Sequence, residues 1–147
     1  MPQEKPPGAG LRVGLFVTCL VDLMRPSVGF AAVKLIEAAG CKVIVPEQTC
    51  CGQPAYNSGD RANAKAIARR TMRAFAGCDY VVAPSGSCTG QLAKHYPEMF
   101  EDEPETQLEA RRFAAKCWEL TSFLVDRLGV SRVEARYEGV ATYHDSC

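Results

Sequence analysis

Leu11-Arg12-Val13-Gly14-Leu15-Phe16-Val17-Thr18 is a short apolar run, rich in β-branched residues, with Gly10 before it and Cys19 directly after it. Runs of this length and composition fill strands of parallel sheets that are buried on both faces. Lys42–Pro46 (KVIVP) and Asp79–Pro84 (DYVVAP) repeat the pattern, and Gly139–Tyr143 (GVATY) supplies a fourth candidate. Between them, Val28 to Ala39 places apolar residues at helical spacing and Gly40 follows as a stop. A longer helix is expected from Gly59-Asp60 to Ala76, with Asp60 as N-cap. Another runs through Leu92 to about Phe100, and a helical region spans Thr106 to Leu128 with a break near Glu119-Leu120-Thr121-Ser122. This alternation predicts an α/β fold: a parallel sheet of about four strands with helices on both faces, a Rossmann-like three-layer arrangement.

The chain of 147 residues is 47% apolar, enough for one domain with its own core. Lys+Arg and Asp+Glu number 17 each, so no overall charge draws it to nucleic acid. No apolar stretch nears the roughly 20 residues of a membrane helix. Residues 1–10 are polar and rich in Pro and Gly without the features of a signal peptide, so a flexible leader and a cytoplasmic protein are expected. The sequence leaves room for a homo-oligomer. It holds no phosphate loop, no serine nucleophile elbow and no paired-carboxylate site. Nor does Gly-x-Gly-x-x-Gly follow the first strand, so hydride chemistry with a nicotinamide or flavin is not expected of this chain.

The chemistry lies in eight cysteines. Without a secretion signal they do not read as a disulfide framework, and the adjacent Cys50-Cys51 is poorly placed to bridge to itself. On the expected strands, Cys19, Cys50, Cys51, Cys88 and Cys147 each follow a strand. In a parallel sheet all carboxyl ends share one edge, the edge where ligands bind, so these sequence-distant thiols converge. Cys41 and Cys78 precede strands at the opposite edge, roughly 17 Å away at about 3.3 Å per residue. They and Cys117, expected in a helix, read as small buried hydrophobes. The convergent thiols suit an iron–sulfur cluster, a zinc site, or metal-free thiol–disulfide chemistry with Cys50 or Cys51 as nucleophile. The lack of any Cys-x-x-Cys speaks against a zinc knuckle.

Around them, Gly52, Gly86 and Gly90 let backbone N–H groups approach sulfur, and Ser85, Ser87 and Thr89 offer hydroxyl donors. His144, expected just after the fourth strand, is a candidate proton relay or ligand on the same edge. His95 reads as exposed on a polar helix. Arg61, Lys65, Arg69 and Arg73 form a basic stripe, either a solvated face or a dock for an acidic redox partner. Six acids and no base lie between Glu98 and Glu109, which reads as a solvated connection.

Cys19, Cys50-Cys51-Gly52 and Cys88, with 30 and 36 intervening residues, resemble the cysteine-rich CCG domain. That domain occurs in heterodisulfide reductases, in the glycolate oxidase iron–sulfur subunit and in lactate utilisation protein A. Phe16-Val17-Thr18-Cys19-Leu20-Val21-Asp22, Gln48-Thr49-Cys50-Cys51-Gly52-Gln53-Pro54-Ala55-Tyr56-Asn57, Pro84-Ser85-Gly86-Ser87-Cys88 and Glu119-Leu120-Thr121-Ser122-Phe123-Leu124 are similar to segments of the lactate utilisation branch. The resemblance implies that Cys19, Cys50, Cys51 and Cys88 ligate an iron–sulfur cluster, with Cys147 as a further candidate metal ligand. It implies electron transfer during oxidation of L-lactate, or glycolate, in a complex with other lactate-utilisation subunits; a heterodisulfide-reductase-like subunit is the alternative within the family. The fuller family pattern ends in Cys-x-x-Cys, whereas Ser85-Gly86-Ser87-Cys88 offers one thiol, which points to a four-thiolate [4Fe–4S] centre. Tyr143-His144-Asp145-Ser146-Cys147 resembles the opening of a second such domain. The expected division is therefore a leader at 1–10, the first CCG domain at 11–138, and the start of a second at 139–147.

Overall fold

A computed structural model describes residues 6–144. β1 (Arg12–Leu15) leads into a short helix α1 (Cys19–Met24) and then α2 (Pro26–Ala38). β2 (Lys42–Ile44) leads into α3 (Gln53–Asn57) and α4 (Arg61–Ala74). β3 (Tyr80–Ala83) opens a helical run made of α5 (Gly86–Gly90), a π-helical turn (Gln91–His95) and α6 (Tyr96–Met99). α7 (Pro104–Ala114) precedes β4 (Cys117–Glu119), and α8 (Leu120–Ser122) runs into a second π-helical turn (Phe123–Arg127).

The four strands form one parallel sheet in the order β2-β1-β3-β4, so the fold is α/β as expected. Side chains alternate across the strands and divide the core in two. On one face Phe16, Val81 and Ala83 meet α4, α6 and α7 through Ala68, Phe75, Tyr96 and Phe113. On the other, Val13, Leu15 and Val82 meet α2 and the last helical turns through Ile36, Leu120 and Phe123. Each large apolar side chain buried this way is worth about 1.5–3 kcal/mol. Gly14 is required where α4 ends against β1, because a Cβ there would lie 2.5 Å from the Phe75 ring and 2.8 Å from Cys78 Sγ.

The fourth strand is not where the sequence placed it. Residues 139–144 carry no regular element, and Val140 and Tyr143 are exposed. β-propensity expresses itself on a half-buried pleated surface, and the place beside β3 is taken by Cys117–Glu119, in register with Val81–Ala83. Cys117 therefore begins a strand and does not sit in a helix. Its neighbour Glu119 caps α8, accepting from Thr121 N at 2.8 Å and Ser122 N at 3.1 Å, which explains the break seen in that helical region.

The basic stripe and the acid run, read separately in the sequence, meet each other. Lys65 pairs with Asp102 at 2.6 Å and Glu103 at 3.0 Å, and Arg69 pairs with Glu103. Both cations also lie over the Phe100 ring, at 5.6 and 4.7 Å from its centroid. Much of the stripe thus fastens α4 to the connection before α7. Of the residues expected to form the leader, Gly8 is buried and donates its N–H to Ala39 O at 2.8 Å. Among the described residues, no helix is long and apolar enough to cross a membrane.

Candidate metal centre

Three strand ends carry the four thiols. After β1 the chain turns at Thr18, whose φ of 75° and ψ of 145° lie in a region that β-branched residues avoid. Thr18 is buried, and its Oγ1 accepts from Val21 N at 3.3 Å, so Cys19 becomes the first residue of α1. After β2, Cys50 and Cys51 lie in a loop closed by Gly52 at φ 87°, the N-cap of α3. The Gly52 N–H donates to Cys50 Sγ at 3.4 Å, and the left-handed φ turns the following chain into α3. After β3, Ser85 caps α5 and Cys88 lies within its single turn, with Thr89 Oγ1 donating to Ser85 O at 2.8 Å.

The thiols act on one another. The Cys19 thiol is raised by burial and then by the neighbouring Cys50 and Cys88 thiols. Cys51 is raised well above the ordinary thiol range, first by the adjacent Cys88 and then by burial. Cys88 is lowered to about 6, first by Cys51 and then by the hydroxyls of Ser85 and Ser87, against the opposing effect of burial. The opposite directions belong to one hydrogen-bonded pair, the donor thiol raised and the acceptor lowered. Cys51 lies in one cluster of the core that Cys50 and Cys88 border, a large one that also takes in Cys78 and Cys117, so it is the strand ends and the mutual effects of the thiols that single these out. The structure therefore brings Cys19, Cys50, Cys51 and Cys88 to the carboxyl edge of the sheet.

Cys41, Cys78 and Cys117 are buried elsewhere, their thiols raised by that burial, and Cys117 Sγ donates to Phe113 O at 3.3 Å. His144 is exposed and follows no strand, so the reason for placing it at the cysteine edge is gone. Cys147 lies outside the described residues.

Two positioning residues and one unpartnered buried amide were not found in the sequence. Gln48 clamps two strand ends: its Oε1 accepts from Val17 N at 2.8 Å, and its Nε2 donates to Leu15 O at 2.9 Å and Pro46 O at 3.1 Å. That single side chain sets the Cys19 turn against the Cys50-Cys51 loop. Tyr96 is fully buried and donates its hydroxyl to Cys51 O at 2.9 Å. Gln91 is fully buried, and neither polar atom of its amide has a partner among the described residues. It opens a π-helical turn three residues after Cys88, a geometry frequent at functional sites. Beside the loop, His95 is half-buried, stacked on Tyr56 at 4.6 Å and bonded through Nδ1 to Glu98 at 2.7 Å, where the sequence suggested an exposed residue.

The pattern of a cysteine-rich domain family designated CCG matches residues 13–93, more than half of the chain and the whole span from β1 past Cys88. The chain belongs to the CCG cysteine-rich domain family. This CCG domain is 58% identical over 138 residues to lactate utilization protein A of Geobacillus kaustophilus and 56% identical to that of Geobacillus thermodenitrificans. In both cases 93% of the chain is covered but only 57% of the relative. The protein of the same name from Macrococcus caseolyticus is 47% identical, with 56% of its length covered. The chain thus spans little more than half the length of these curated relatives. No solved structure matches it.

The donor set is consistent with an iron–sulfur cluster. Four thiols and no carboxylate are soft donors, the chemistry of iron–sulfur clusters. Among the described residues no three His, Cys, Asp or Glu side chains stand close enough to hold a single metal ion. The orphaned Gln91 amide adds a buried polar group without a protein partner on this part of the fold.

Proposed function

We propose that this domain holds a [4Fe–4S] cluster on Cys19, Cys50, Cys51 and Cys88 and serves as the electron-transfer part of a system that oxidises L-lactate to pyruvate. The observation that carries the reading is the arrival of four mutually interacting thiols, from three strand ends, at one edge of the sheet. A bound cluster of this kind takes up and gives back one electron. The chain's own residues set its surroundings. The Gly52 N–H at Cys50 Sγ and the hydroxyls of Ser85 and Ser87 near Cys88 are donors that ease negative charge on sulfur. The buried Cys51 side keeps water out.

The substrate comes from the relatives' name, lactate utilization protein A. Removing hydride from lactate requires an organic acceptor, which this reading assigns to a partner protein. Leu20, Leu23 and Met24 in α1 and Phe30 in α2 are exposed beside Cys19, an apolar face of the kind that larger assemblies cover.

Two measurements test the proposal. In an anaerobic redox titration followed by electron paramagnetic resonance, the reconstituted chain takes up one electron reversibly; a protein with no redox-active signal overturns the electron-carrier role. In the host organism, serine at all four thiol positions abolishes growth on L-lactate and spares growth on glucose; undiminished growth on L-lactate overturns the substrate assignment. A metal-free chain that cycles between a Cys51–Cys88 disulfide and the dithiol supports the thiol-redox reading instead.

A further inference from the structure

At the far side of the domain from the thiols, the carboxyl-terminal parts of α4 and α7 enclose a hollow of about 600 Å³. Met72 and Phe113, both buried, form its floor, and Arg73, Arg112 and Lys116 line it with Glu109; a fourth lining cation, Arg69, is already paired with Glu103 and leaves three to count. The volume lies within the range of small-molecule sites, and an apolar floor with a few convergent polar groups is their usual anatomy.

The charges are oriented but not neutralised. None of the three cations, nor Glu109, forms an ion pair among the described residues. Two of them are held instead by uncharged carbonyl oxygens. Lys116 Nζ donates to Phe75 O at 2.8 Å and Cys78 O at 3.0 Å, which uses two of its three donors. Arg73 Nε donates to Arg69 O at 3.3 Å and leaves its terminal nitrogens open. A cation fixed by neutral acceptors keeps its full charge for an incoming anion. Cations in the last turns of α4 and α7 also suit the helix dipoles, but that role does not require three of them, from two chain segments, around one apolar hollow. Three cations against the one Glu109 carboxylate leave a surplus that matches a doubly charged anion.

We propose that this hollow binds a small organic dianion, a phosphate monoester being the simplest, whose charged head meets Arg73, Arg112 and Lys116 while its apolar body lies on Met72 and Phe113. The site is separate from the thiol edge, and the inference does not rest on the electron-transfer reading.

Fluorescence titration of the full chain with 1-naphthyl phosphate tests it, with inorganic phosphate and the singly charged 1-naphthalenesulfonate as comparators. The expected order places 1-naphthyl phosphate at least tenfold tighter than either, since it alone has both the second charge and the apolar body. Arg112→Glu and Arg73→Glu weaken it tenfold or more, about the effect of one lost charge-assisted hydrogen bond. Arg112→Gln gives the same direction should the reversal disturb folding, which circular dichroism reports. Arg111→Glu, on the same helix but outside the hollow, leaves the affinity unchanged. Equal affinity for the three ligands, no effect of the Arg112 variants, or an equal loss in Arg111→Glu would each overturn the proposal and leave the cations serving only the helix ends.

Discussion

Replacing Gly52 by Ala probes the turn that closes the cysteine-pair loop. Gly52 has φ 87°, and a Cβ there would meet Ile67 Cγ2 at 3.3 Å. Placing an L-residue in the left-handed region costs about 1–2 kcal/mol, while the loss of glycine's freedom in the unfolded chain returns about 0.4–1 kcal/mol. The two terms net to about 0–1.6 kcal/mol, and the contact with Ile67 adds a few tenths of an ångström of displacement to a half-buried methyl group, so the expected net loss is about 0.5–2 kcal/mol. For a domain of this size that lowers Tm by about 2–8 °C. Urea and thermal unfolding of Gly52→Ala, Ile67→Ala and the double variant form a cycle that separates strain from crowding. Strain predicts that most of the penalty persists in the Ile67→Ala background. A loss below about 0.3 kcal/mol, within the usual range for neutral substitutions, or one fully removed by Ile67→Ala, would refute the conformational argument.

Other consequences follow from the same contacts. Tyr96→Phe removes the hydroxyl bonded to Cys51 O and leaves that carbonyl buried without its donor, so the urea midpoint falls by the equivalent of about 1–3 kcal/mol; an unchanged midpoint removes Tyr96 as a support of the cysteine loop. Asp102 and Glu103 are held below the ordinary carboxylate range by Lys65, with Arg69 also acting on Glu103, so their contribution is present above their unfolded pKa and disappears as pH falls through the folded value. The Tm difference between wild type and Lys65→Ala, present at about pH 7, accordingly begins to close as pH drops below about 4 and vanishes only below the lowered folded values; a difference that does not shrink between about pH 7 and about pH 2 shows that Lys65 acts by packing on Phe100 instead. Reversing Lys65 or Arg69 lowers stability first, before it affects any partner.

Three strands were legible because each is a β-branched apolar run between turn signals, and Asp60 was legible as a cap because its side chain accepts from Asn63 N. The fourth strand was not, because Cys117–Glu119 is too short to show a period of two and lies between helical segments that mask it. Gly139–Tyr143 had the right composition without a neighbouring strand to pair with. The convergence of Cys19, Cys50, Cys51 and Cys88 was readable from position alone, since parallel strands end on a common edge. Gln48 was not readable as a clamp because its partners are backbone groups that meet only in the folded sheet, although it stands within the segment that carried the family resemblance. Gln91 gave no signal, since a polar residue on a helix reads as solvated until its burial is known. The pairing of the α4 cations with Asp102 and Glu103 joins residues more than thirty positions apart, beyond any helical periodicity.

Iron and acid-labile sulfide analysis of the anaerobically reconstituted chain, across single Cys→Ser variants, tests the shared metal centre most directly. The account expects about four of each per chain in the wild type, the composition of a [4Fe–4S] centre. It expects a marked loss for serine in place of Cys19, Cys50, Cys51 or Cys88, and retention for serine in place of Cys41 or Cys78. Full loading without Cys19, Cys50, Cys51 or Cys88, or loss on removing only Cys41 or Cys78, contradicts it.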